Sequence, residues 1–310
     1  MQQEEKITLT PTRKESEAQI RRALPPRPEG GHKGSFGRAH IFAGSHTYAG
    51  AALLSAEGAL RMGVGLTYLY TAPDAAAAAR ARLPELIIRT LSPIAAGGED
   101  VRAALASAEG TVLIGPGIGQ TDERGQTLDA AHFCELLLRL LSSAGGPVVL
   151  DADALNLLSR GGSDPAALLF SSVREVIVTP HPTEFARLTG KKPSSDPADR
   201  IAAARAFAAR SGATVILKGA GTVIAAKDGR AAVNPSGSSA LAKGGTGDVL
   251  AGMLTALLSQ GMSPFDAACA ATYLHGAAGD TLAASLSDYG VLPSELPAAA
   301  ARELARILGE

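Results

Sequence analysis

Short apolar runs alternate with longer, helix-like stretches along most of this chain. The runs predict strands at 39–43, 66–70, 86–89, 111–114, 147–150, 176–178 and 214–217. Helices are predicted between them at 49–62, 74–82, 100–108, 124–141, 182–188 and 197–210. The strand runs are continuously apolar rather than alternating, as in strands that are buried on both faces. Such strands, separated by helices, indicate an α/β fold with a parallel sheet covered by helices on both sides.

The two ends of the chain depart from this alternation. Residues 222–226 and 231–233 flank an Asp-Gly pair and predict a β-hairpin. Long helices are predicted after it at 248–260, 264–286 and 295–308. At the amino end, residues 15–24 favour a helix that a Pro-Pro-Arg-Pro segment terminates. We therefore expect one α/β domain over residues 30–310, preceded by a flexible tail or a docking helix over residues 1–29.

Composition narrows the class of protein. With 29 Lys and Arg against 30 Asp and Glu in 310 residues, the net charge of -1 argues against binding nucleic acid through bulk electrostatics. The 46% of hydrophobic residues excludes wholesale disorder. The sequence has neither a signal peptide nor a membrane-spanning run, and Cys134 and Cys269 lie in apolar helical stretches without metal-binding spacing. We expect a cytoplasmic protein with buried thiols and with neither membrane nor nucleic-acid partners.

The strongest chemical signal is the segment 243–252, which reads KGGTGDVLAG. Apolar residues recur at helical spacing after it, so Asp248 lies at the start of a helix. The glycines let a ligand approach the backbone, and the free N–H groups of a first helical turn form an anion site. A carboxylate beside such an anion is suited to accept a hydroxyl proton during phosphoryl transfer. The alternative is that Asp248 is only an N-cap and the glycines only a turn. The spacing matches neither a P-loop nor a dinucleotide fingerprint.

A histidine held between two prolines follows the predicted strand at 176–178. Pro180 and Pro182 restrict the backbone around His181 at the carboxyl end of the sheet, where ligands of open α/β sheets bind. Glu184 falls in the first turn of the next helix. The functional interpretation is that His181 faces a ligand in a defined direction. The alternative is a capping motif with the imidazole ring on the surface.

Three further motifs follow strands of the same predicted sheet. Lys218 stands at a Lys-Gly turn and could contact a phosphate, although a lysine in such a turn is usually solvated. Residues 115–119, GPGIG, would let a substrate lie against the backbone. Asp151 and Asp153 could hold Mg²⁺ through water or cap the next helix. We expect the cap for Asp153 and a position nearer the site for Asp151. Because these turns share one edge of the sheet, a phosphoryl-transfer pocket is predicted there.

Taken in order, the motifs resemble those of the ADP/ATP-dependent NAD(P)H-hydrate dehydratases, a branch of the ribokinase-like superfamily. They are KGSFG at 33–37, AGS at 43–45, YAGAA at 48–52, GPGIG at 115–119, DADAL at 151–155, TPHP at 179–182 and GGTGD at 244–248. The resemblance implies a ribokinase-like three-layer αβα sandwich with a mostly parallel central sheet. It also implies ADP-dependent dehydration of the S epimer of hydrated NADH or NADPH back to NAD(P)H. The ring hydroxyl would be phosphorylated and phosphate then lost, with AMP as the other product.

The resemblance further implies roles for individual residues. Asp248 would be the base that takes the hydroxyl proton, and Mg²⁺ would screen the phosphates of the ADP or ATP co-substrate. The hydrated dinucleotide would be bound by Ala51, Gly119, His181 and Asp248. The adenine nucleotide would be bound by Lys218, Gly219, Ala220, Gly221, Thr222, Gly245, Thr246 and Gly247. The resemblance assigns no residue to the metal. We expect ADP rather than ATP as the co-substrate, because stand-alone bacterial members of the family generally use ADP.

Two rival functions fit parts of the sequence. A ribokinase-like small-alcohol kinase, such as hydroxyethylthiazole kinase, would share Asp248, but it would not be expected to combine the motifs around His181, at 115–119 and at 33–37. A catalytically silent nucleotide-binding protein would have no need of the intact GGTGD segment. Because the first motif begins close to the start of the chain, any epimerase is expected to be a separate protein. A homo-oligomer is expected from the resemblance alone, and the family implies a tetramer.

Overall fold

The middle layer of the computed structural model, which describes residues 10–121 and 127–310, is a β-sheet. Its strands are β1 (Arg38–Phe42), β2 (Leu66–Thr71), β3 (Ile87–Thr90), β4 (Thr111–Ile114), β5 (Val148–Leu150), β6 (Val176–Val178), β7 (Thr214–Leu217), β8 (Val223–Ala225) and β9 (Ala231–Val233). Their order across the sheet is β3-β2-β1-β4-β5-β6-β7-β8-β9. Strands β1 to β7 are parallel, and β8 and β9 form the predicted antiparallel hairpin.

Helices cover both faces of this sheet. They are α1 (Arg13–Ala23), α2 (Ala49–Arg61), α3 (Pro73–Arg82), α4 (Glu99–Ala106), α5 (Ala130–Leu141), α6 (Asp153–Arg160), α7 (Pro165–Phe170), α8 (Pro182–Thr189), α9 (Pro197–Ser211), α10 (Thr246–Ser259), α11 (Pro264–Gly290) and α12 (Leu296–Leu308). Alternate strand residues face opposite layers. Val149 of β5 packs in one core with α2, α10, α11 and α12, whereas Val148 and Leu150 pack in the other with α4 to α9. These layers confirm the predicted three-layer α/β architecture.

Helices α2 and α10 lie against each other at very short range. Gly58 of α2 faces the backbone of Val249, and Gly252 of α10 faces the carbonyl oxygen of Ser55; a Cβ atom at either glycine would clash. Only glycine allows two helix backbones to approach this closely. The contact matters for function, because it fixes the amino end of α10, where Asp248 lies, relative to α2, where Ala51 lies.

Helix α1 packs on α11 and α12. The side chain of Ile20 in α1 is only 2% exposed and is buried in the same core as α10. Glu17 accepts a hydrogen bond from the hydroxyl of Tyr273 (2.8 Å) and from the guanidinium of Arg306 (2.6 Å). The helix is therefore joined to the rest of the fold by both an apolar and a charged contact.

The positions of the strands agree with the sequence predictions to within one residue, but one helix prediction is wrong. The pattern predicts a helix over 124–141, whereas α5 begins at Ala130. The carboxylate of Asp129 accepts the N–H groups of Ala131 and His132 and so starts the helix there. Positions 124–126 of that prediction lie outside the described residues. Cys134 is buried and Cys269 only partly so. None of the helices in the described ranges combines the length and apolar character that crossing a bilayer requires.

Candidate active site

The sequence-predicted motifs come together at one edge of the sheet. Strands β1, β4, β5, β6 and β7 are neighbours, and all are parallel, so their carboxyl ends point the same way. The loops that follow β4 to β7 carry the 115–119 motif, the two aspartates, the His-Pro turn and the Lys-Gly turn. Between β1 and β4 the chain reverses its direction of winding across the sheet, which is the point where open α/β sheets bind ligands.

Asp248 lies in the first turn of α10, at its third residue. The residue that caps this helix is Gly245, whose φ of +101° glycine adopts without strain, and no side chain caps the helix. The alternative that Asp248 is an N-cap is therefore wrong. Among the described residues, no hydrogen bond uses the N–H of Gly247 or of Asp248. These two groups point out of the helix end and are suited to hold an anion.

The pKa of Asp248 is raised to about 7. Burial contributes most, the charges of Asp151, Asp153 and Glu184 raise it further, and Lys218 opposes the shift. A carboxyl group with a pKa near neutrality is matched to work as a general base at neutral pH.

Lys218 forms a buried ion pair with Asp151. The Lys218 Nζ lies 2.8 Å from Asp151 Oδ1, and the two side chains are 18% and 1% exposed. The hydroxyl of Thr179 donates to the same oxygen at 2.6 Å. Burial lowers the pKa of Lys218, but Asp151, Glu184 and Asp248 outweigh it and the net shift is upward. Lys218 is therefore a cation at neutral pH, and its Nζ lies 3.4 Å from where a Cβ atom of Gly247 would be.

His181 is both a helix cap and a member of the site. Its Nδ1 accepts the N–H of Thr183 (3.0 Å), so the proton of the neutral ring is on Nε2, which lies 3.3 Å from Glu184 Oε1. Glu184 is 5% exposed, and its other oxygen accepts the N–H of His181 at 2.8 Å. Burial, then the charges of Lys218 and Arg187, lower the pKa of His181. The capping alternative is thus correct: His181 caps α8, and its ring is exposed at the surface with Nε2 against Glu184.

The loop after β4 is hydrogen-bonded to Asp153 and packs against Ala51. Asp153 accepts the N–H of Gly119 (3.0 Å) and the side-chain amide of Gln120 (2.7 Å). The expectation that Asp153 caps its own helix is wrong, because α6 has Ala152 at the cap and no side-chain cap bond. A Cβ atom at Gly117, whose φ is +60°, would lie 2.7 Å from Ala51 Cβ. Asp153 therefore anchors the loop, and Gly117 lets it lie directly against α2.

The turn that follows β7 is held by hydrogen bonds from the side chains of Arg200 and Thr222. Arg200 donates to the carbonyl oxygens of Leu217 and Lys218, each at 3.2 Å. The Thr222 hydroxyl donates to the carbonyl oxygen of Gly219 at 2.9 Å and closes the turn. The predicted nucleotide-binding residues of this turn thus form a defined surface, with Lys218 at the end that meets α10.

A cavity of about 990 Å³ extends from this edge of the sheet over β1 to β4. Gly119 and Asp153 line this cavity, as do His46 and Asp74, which are hydrogen-bonded to each other. The cavity is at the upper end of the volumes that small-molecule sites occupy, and it is large enough for a dinucleotide.

Three features of the site carry no signal in the sequence. They are the hydroxyl of Thr179 on Asp151, the support of the Lys218 turn by Arg200, and the backbone of Ala152, whose φ of 50° is rare for a residue with a side chain. Such strain persists only where the surroundings impose it, and it clusters at functional sites. Here the unusual backbone separates Asp151, which points to Lys218, from Asp153, which points to Gly119.

Metal ions in proteins are held by groups of side chains such as those of His, Cys, Asp and Glu. In residues 10–121 and 127–310 no group of three or more His, Cys, Asp or Glu side chains is placed to hold a metal.

The fold is that of a ribokinase-like α/β protein, and the amino end of α10 is suited to hold an anion. Hydroxyethylthiazole kinase of Pyrococcus horikoshii shares this fold (TM-score 0.55) at 16% identity, over 94% of this chain and 93% of that one, a likeness of fold alone. A family model described as NAD(P)H-hydrate dehydratase matches residues 39–302. The chain belongs to this family.

Individual relatives agree with the family. The ADP-dependent (S)-NAD(P)H-hydrate dehydratase of Neisseria meningitidis is 38% identical over 88% of this chain and 87% of its own length. The bifunctional NAD(P)H-hydrate repair enzyme of Escherichia coli is 37% identical over 91% of this chain, and the chain spans only about half of that relative, 50%. The crystal structure of the Bacillus subtilis ADP/ATP-dependent NAD(P)H-hydrate dehydratase, co-crystallised with ATP/Mg²⁺, superposes with a TM-score of 0.77. It is 32% identical and covers 96% of this chain and 98% of that one.

Proposed function

We propose that this protein catalyses the ADP-dependent dehydration of the S epimer of hydrated NADH or NADPH. The observation that carries the proposal is the arrangement at the start of α10. There Asp248, with a pKa of about 7, adjoins Lys218 and two N–H groups that have no hydrogen-bond partner among the described residues. Family membership supplies the substrate class. The name of the Neisseria relative favours ADP as the nucleotide.

The first step is transfer of a phosphoryl group to the ring hydroxyl. Asp248 takes the proton of the hydroxyl, whose oxygen attacks the β-phosphorus of ADP, and the bond to AMP breaks with its electrons leaving on AMP. The N–H groups of Gly247 and Asp248 and the ammonium of Lys218 hold the transferring group, whose charge they balance.

The second step is loss of phosphate. Hydroxide is a poor leaving group, and phosphate a much better one. The lone pair of the ring nitrogen expels the phosphate, and loss of a proton from the neighbouring carbon restores the double bond of NAD(P)H. The protein needs only to align the hydroxyl with the phosphoryl group and to exclude competing water.

Substrate and nucleotide approach Asp248 from opposite sides in this proposal. Ala51, Gly119 and His181 contact the hydrated ring and its ribose, and the cavity over β1 to β4 takes the rest of the dinucleotide. Because His181 is neutral, it acts as a hydrogen-bonding group rather than as a second cation. The turn 218–222 and residues 245–247 take the nucleotide, and Mg²⁺, when bound, supplies positive charge to its phosphates.

The test is direct assay of the purified protein. With ADP and Mg²⁺, it is expected to convert hydrated NADH to NADH, followed by absorbance, with AMP and phosphate formed in equal amounts. Asp248→Asn should lower kcat by about 10²–10⁴-fold, the range that general-base catalysis contributes, with nucleotide affinity largely retained. Asp164→Asn is the matched control, because Asp164 caps α7 and asparagine caps a helix equally well. A near-normal rate for Asp248→Asn would remove it from the base role, and phosphorylation of a small alcohol without dehydration would identify a kinase instead.

Two further properties remain proposals that separate measurements address. A homo-oligomeric assembly would be read from light scattering of the purified protein. An epimerase that interconverts the two hydrates would be recognised because it lets this protein consume a mixed-epimer sample completely rather than in part.

A further inference from the structure

We propose that Asp151 is a positioning residue that holds the Lys218 ammonium over the amino end of α10, where the transferring phosphoryl group binds. The proposal deepens the proposed function and rests on it for the identity of the transferred group. The hydrogen bonds that carry it are properties of the fold and are independent of the substrate.

The first observation is how tightly Asp151 is held. Its side chain is 1% exposed, at the end of β5, and its Oδ1 accepts both the Thr179 hydroxyl at 2.6 Å and the Lys218 ammonium at 2.8 Å. Thr179 itself follows β6, the neighbouring strand. A carboxylate fixed between two adjacent strands can therefore define the position of the lysine to a fraction of an ångström.

The second observation concerns the hydrogen-bond donors of the Lys218 ammonium. An ammonium group has three N–H donors, and Asp151 is its one hydrogen-bond partner among the described residues. Lys218 Nζ lies 3.4 Å from where a Cβ atom of Gly247 would be, so the ammonium lies beside this glycine. The ammonium thus adjoins the first turn of α10, where the N–H groups of Gly247 and Asp248 take part in no hydrogen bond among the described residues.

The third observation concerns the charges around Asp248. Asp151 faces it from the end of β5, Asp153 from α6, Glu184 from α8 and Lys218 from the end of β7. His275, buried in α11, also faces Lys218 and is neutral, with its pKa lowered to about 4 by burial. Removing the charge of Asp151 while keeping Lys218 therefore shifts the balance toward the carboxylate form of Asp248 and lowers its pKa.

These observations predict a particular pattern for Asp151→Asn. Lys218 loses its anchor but keeps its charge, so ADP affinity should change by less than about threefold, whereas kcat should fall by about 10²-fold because alignment is lost. The acid limb of the kcat/KM profile should move to lower pH. A residue that only stabilised the fold would reduce the active fraction and leave that limb in place.

Folding is controlled by a double variant. Removing one partner of a buried ion pair is strongly destabilising, whereas replacing both is often neutral, so Asp151→Asn/Lys218→Met should be more stable than Asp151→Asn alone. If Asp151 acts through Lys218, adding Asp151→Asn to Lys218→Met should lower kcat by less than about threefold further. Full additivity of the two losses would overturn the proposal. Thr179→Val, which removes one hydroxyl, should produce a smaller effect in the same direction on kcat and little on ADP affinity.

A measurement that needs no turnover separates this proposal from the proposed function. The rate at which an amine-reactive acylating reagent labels Lys218, followed by peptide mass spectrometry, depends on the fraction of neutral amine. Because Asp151 raises the pKa of Lys218 and burial lowers it, Asp151→Asn should increase labelling by at least about tenfold, and ADP should protect. An unchanged labelling rate would overturn the positioning role even in an active enzyme. Increased labelling in a protein that does not dehydrate the hydrate would instead refute only the proposed function.

Discussion

Two buried carboxyl groups give the site its acid–base character at the level of single residues. Asp248 and Glu184 each have a pKa raised to about 7, in both cases mainly by burial, and both lie in the field of the Asp151–Lys218 pair. Glu184 is already occupied by the backbone and ring of His181. Asp248 accepts no such hydrogen bond among the described residues, so it is the carboxylate that the proposed mechanism can use as a base.

The pH dependence of turnover follows from the pKa of Asp248. A base must be ionised, so kcat/KM should be constant above about pH 8 and fall about tenfold per unit below about pH 6. Glu184→Gln should move this limb to lower pH, because the charge of Glu184 raises the pKa of Asp248. Steady-state rates across this range provide the measurement. A rate that stays flat down to about pH 5 would be incompatible with the assignment of Asp248 as base.

The raised pKa of Asp248 also predicts that Asp248→Asn, which should lower activity, will raise stability. The folded-state pKa of Asp248 is raised above its ordinary value, so the folded protein binds the proton more tightly, and the carboxylate costs stability progressively as pH rises from about 4 to 7. Asp248→Asn removes this cost and should stabilise the protein by about 1–3 kcal/mol at pH 8. Urea unfolding should show the gain shrinking as pH falls toward about 4. Asp164→Asn should show no such pH-dependent gain.

Residue roles could be predicted from the sequence only where the local pattern contained them. Asp248 follows glycines and begins an apolar helical stripe, so its position at a helix terminus is a local property. Asp153 has the same local setting as many helix caps, but its carboxylate binds the N–H of Gly119. Thr179 meets Asp151 only because β5 and β6 are neighbours. Contacts of this kind depend on the order of strands, which no short window of sequence contains.

At the scale of elements, the contact between α2 and α10 determines the geometry of the site. It brings Gly245 against Leu54, Gly252 against Ser55 and Gly58 against Val249. Helix α10 is buried along nearly its whole length, so its amino end cannot shift independently of α2. The sequence predicted both helices, but their mutual approach depends on glycines that a propensity argument treats only as weak helix formers.

A pair of glycine substitutions in one helix tests this contact. A Cβ atom at Gly58 would lie 2.6 Å from the carbonyl oxygen of Val249, whereas one at Gly50 of the same helix has nothing within 4 Å. Gly58→Ala should therefore destabilise the protein by about 1–3 kcal/mol, the usual cost of overpacking. Gly50→Ala should be neutral or stabilise it by up to about 1 kcal/mol through reduced chain entropy. Chemical denaturation of both variants gives the comparison, and equal stabilities would show that α2 and α10 can separate without cost.

At the scale of the whole molecule, the candidate site lies between β1 and β4, where the order of the strands reverses its direction across the sheet. The strand order brings β1 beside β4, so the residues after β1 and those after β4 to β7 open onto one surface. Parallel strands were predictable from continuous apolar runs separated by helices. The strand order was not, because crossover connections of similar length can lead to either side of a strand. The start of α5 at Ala130 was missed because Asp129, a local capping residue, was assigned to the helix interior.

The role of the amino-terminal helix is decided at the same scale. Arg13 of α1 pairs with Asp280 of α11, and Asp280 also accepts the N–H of Gly237 at 3.0 Å. Residue 237 lies in the segment that joins the β8–β9 hairpin to α10. A continuous series of contacts therefore leads from α1 to the part of the chain that precedes Asp248. We propose that α1 belongs to the same cooperative folding unit as residues 30–310 and is no independent tail.

Substitution of one buried side chain of α1 separates these possibilities. Ile20 is 2% exposed and lies in the core with α10. If α1 unfolds together with the rest of the protein, Ile20→Ala should lower the free energy of unfolding by about 2–4 kcal/mol, the usual cost of such a truncation in a core. Lys14→Ala, an exposed change in the same helix, should leave the free energy of unfolding within about 0.5 kcal/mol of its original value.

If α1 unfolds with the rest of the protein, unfolding is one transition. Fluorescence of the tyrosines and far-ultraviolet circular dichroism should then give the same midpoint for Ile20→Ala. An unfolding free energy equal to that of the unsubstituted protein, with rapid hydrogen exchange confined to residues 13–23, would show that α1 is a dispensable attachment whose contacts with Tyr273, Arg306 and Asp280 contribute nothing to the stability of the site.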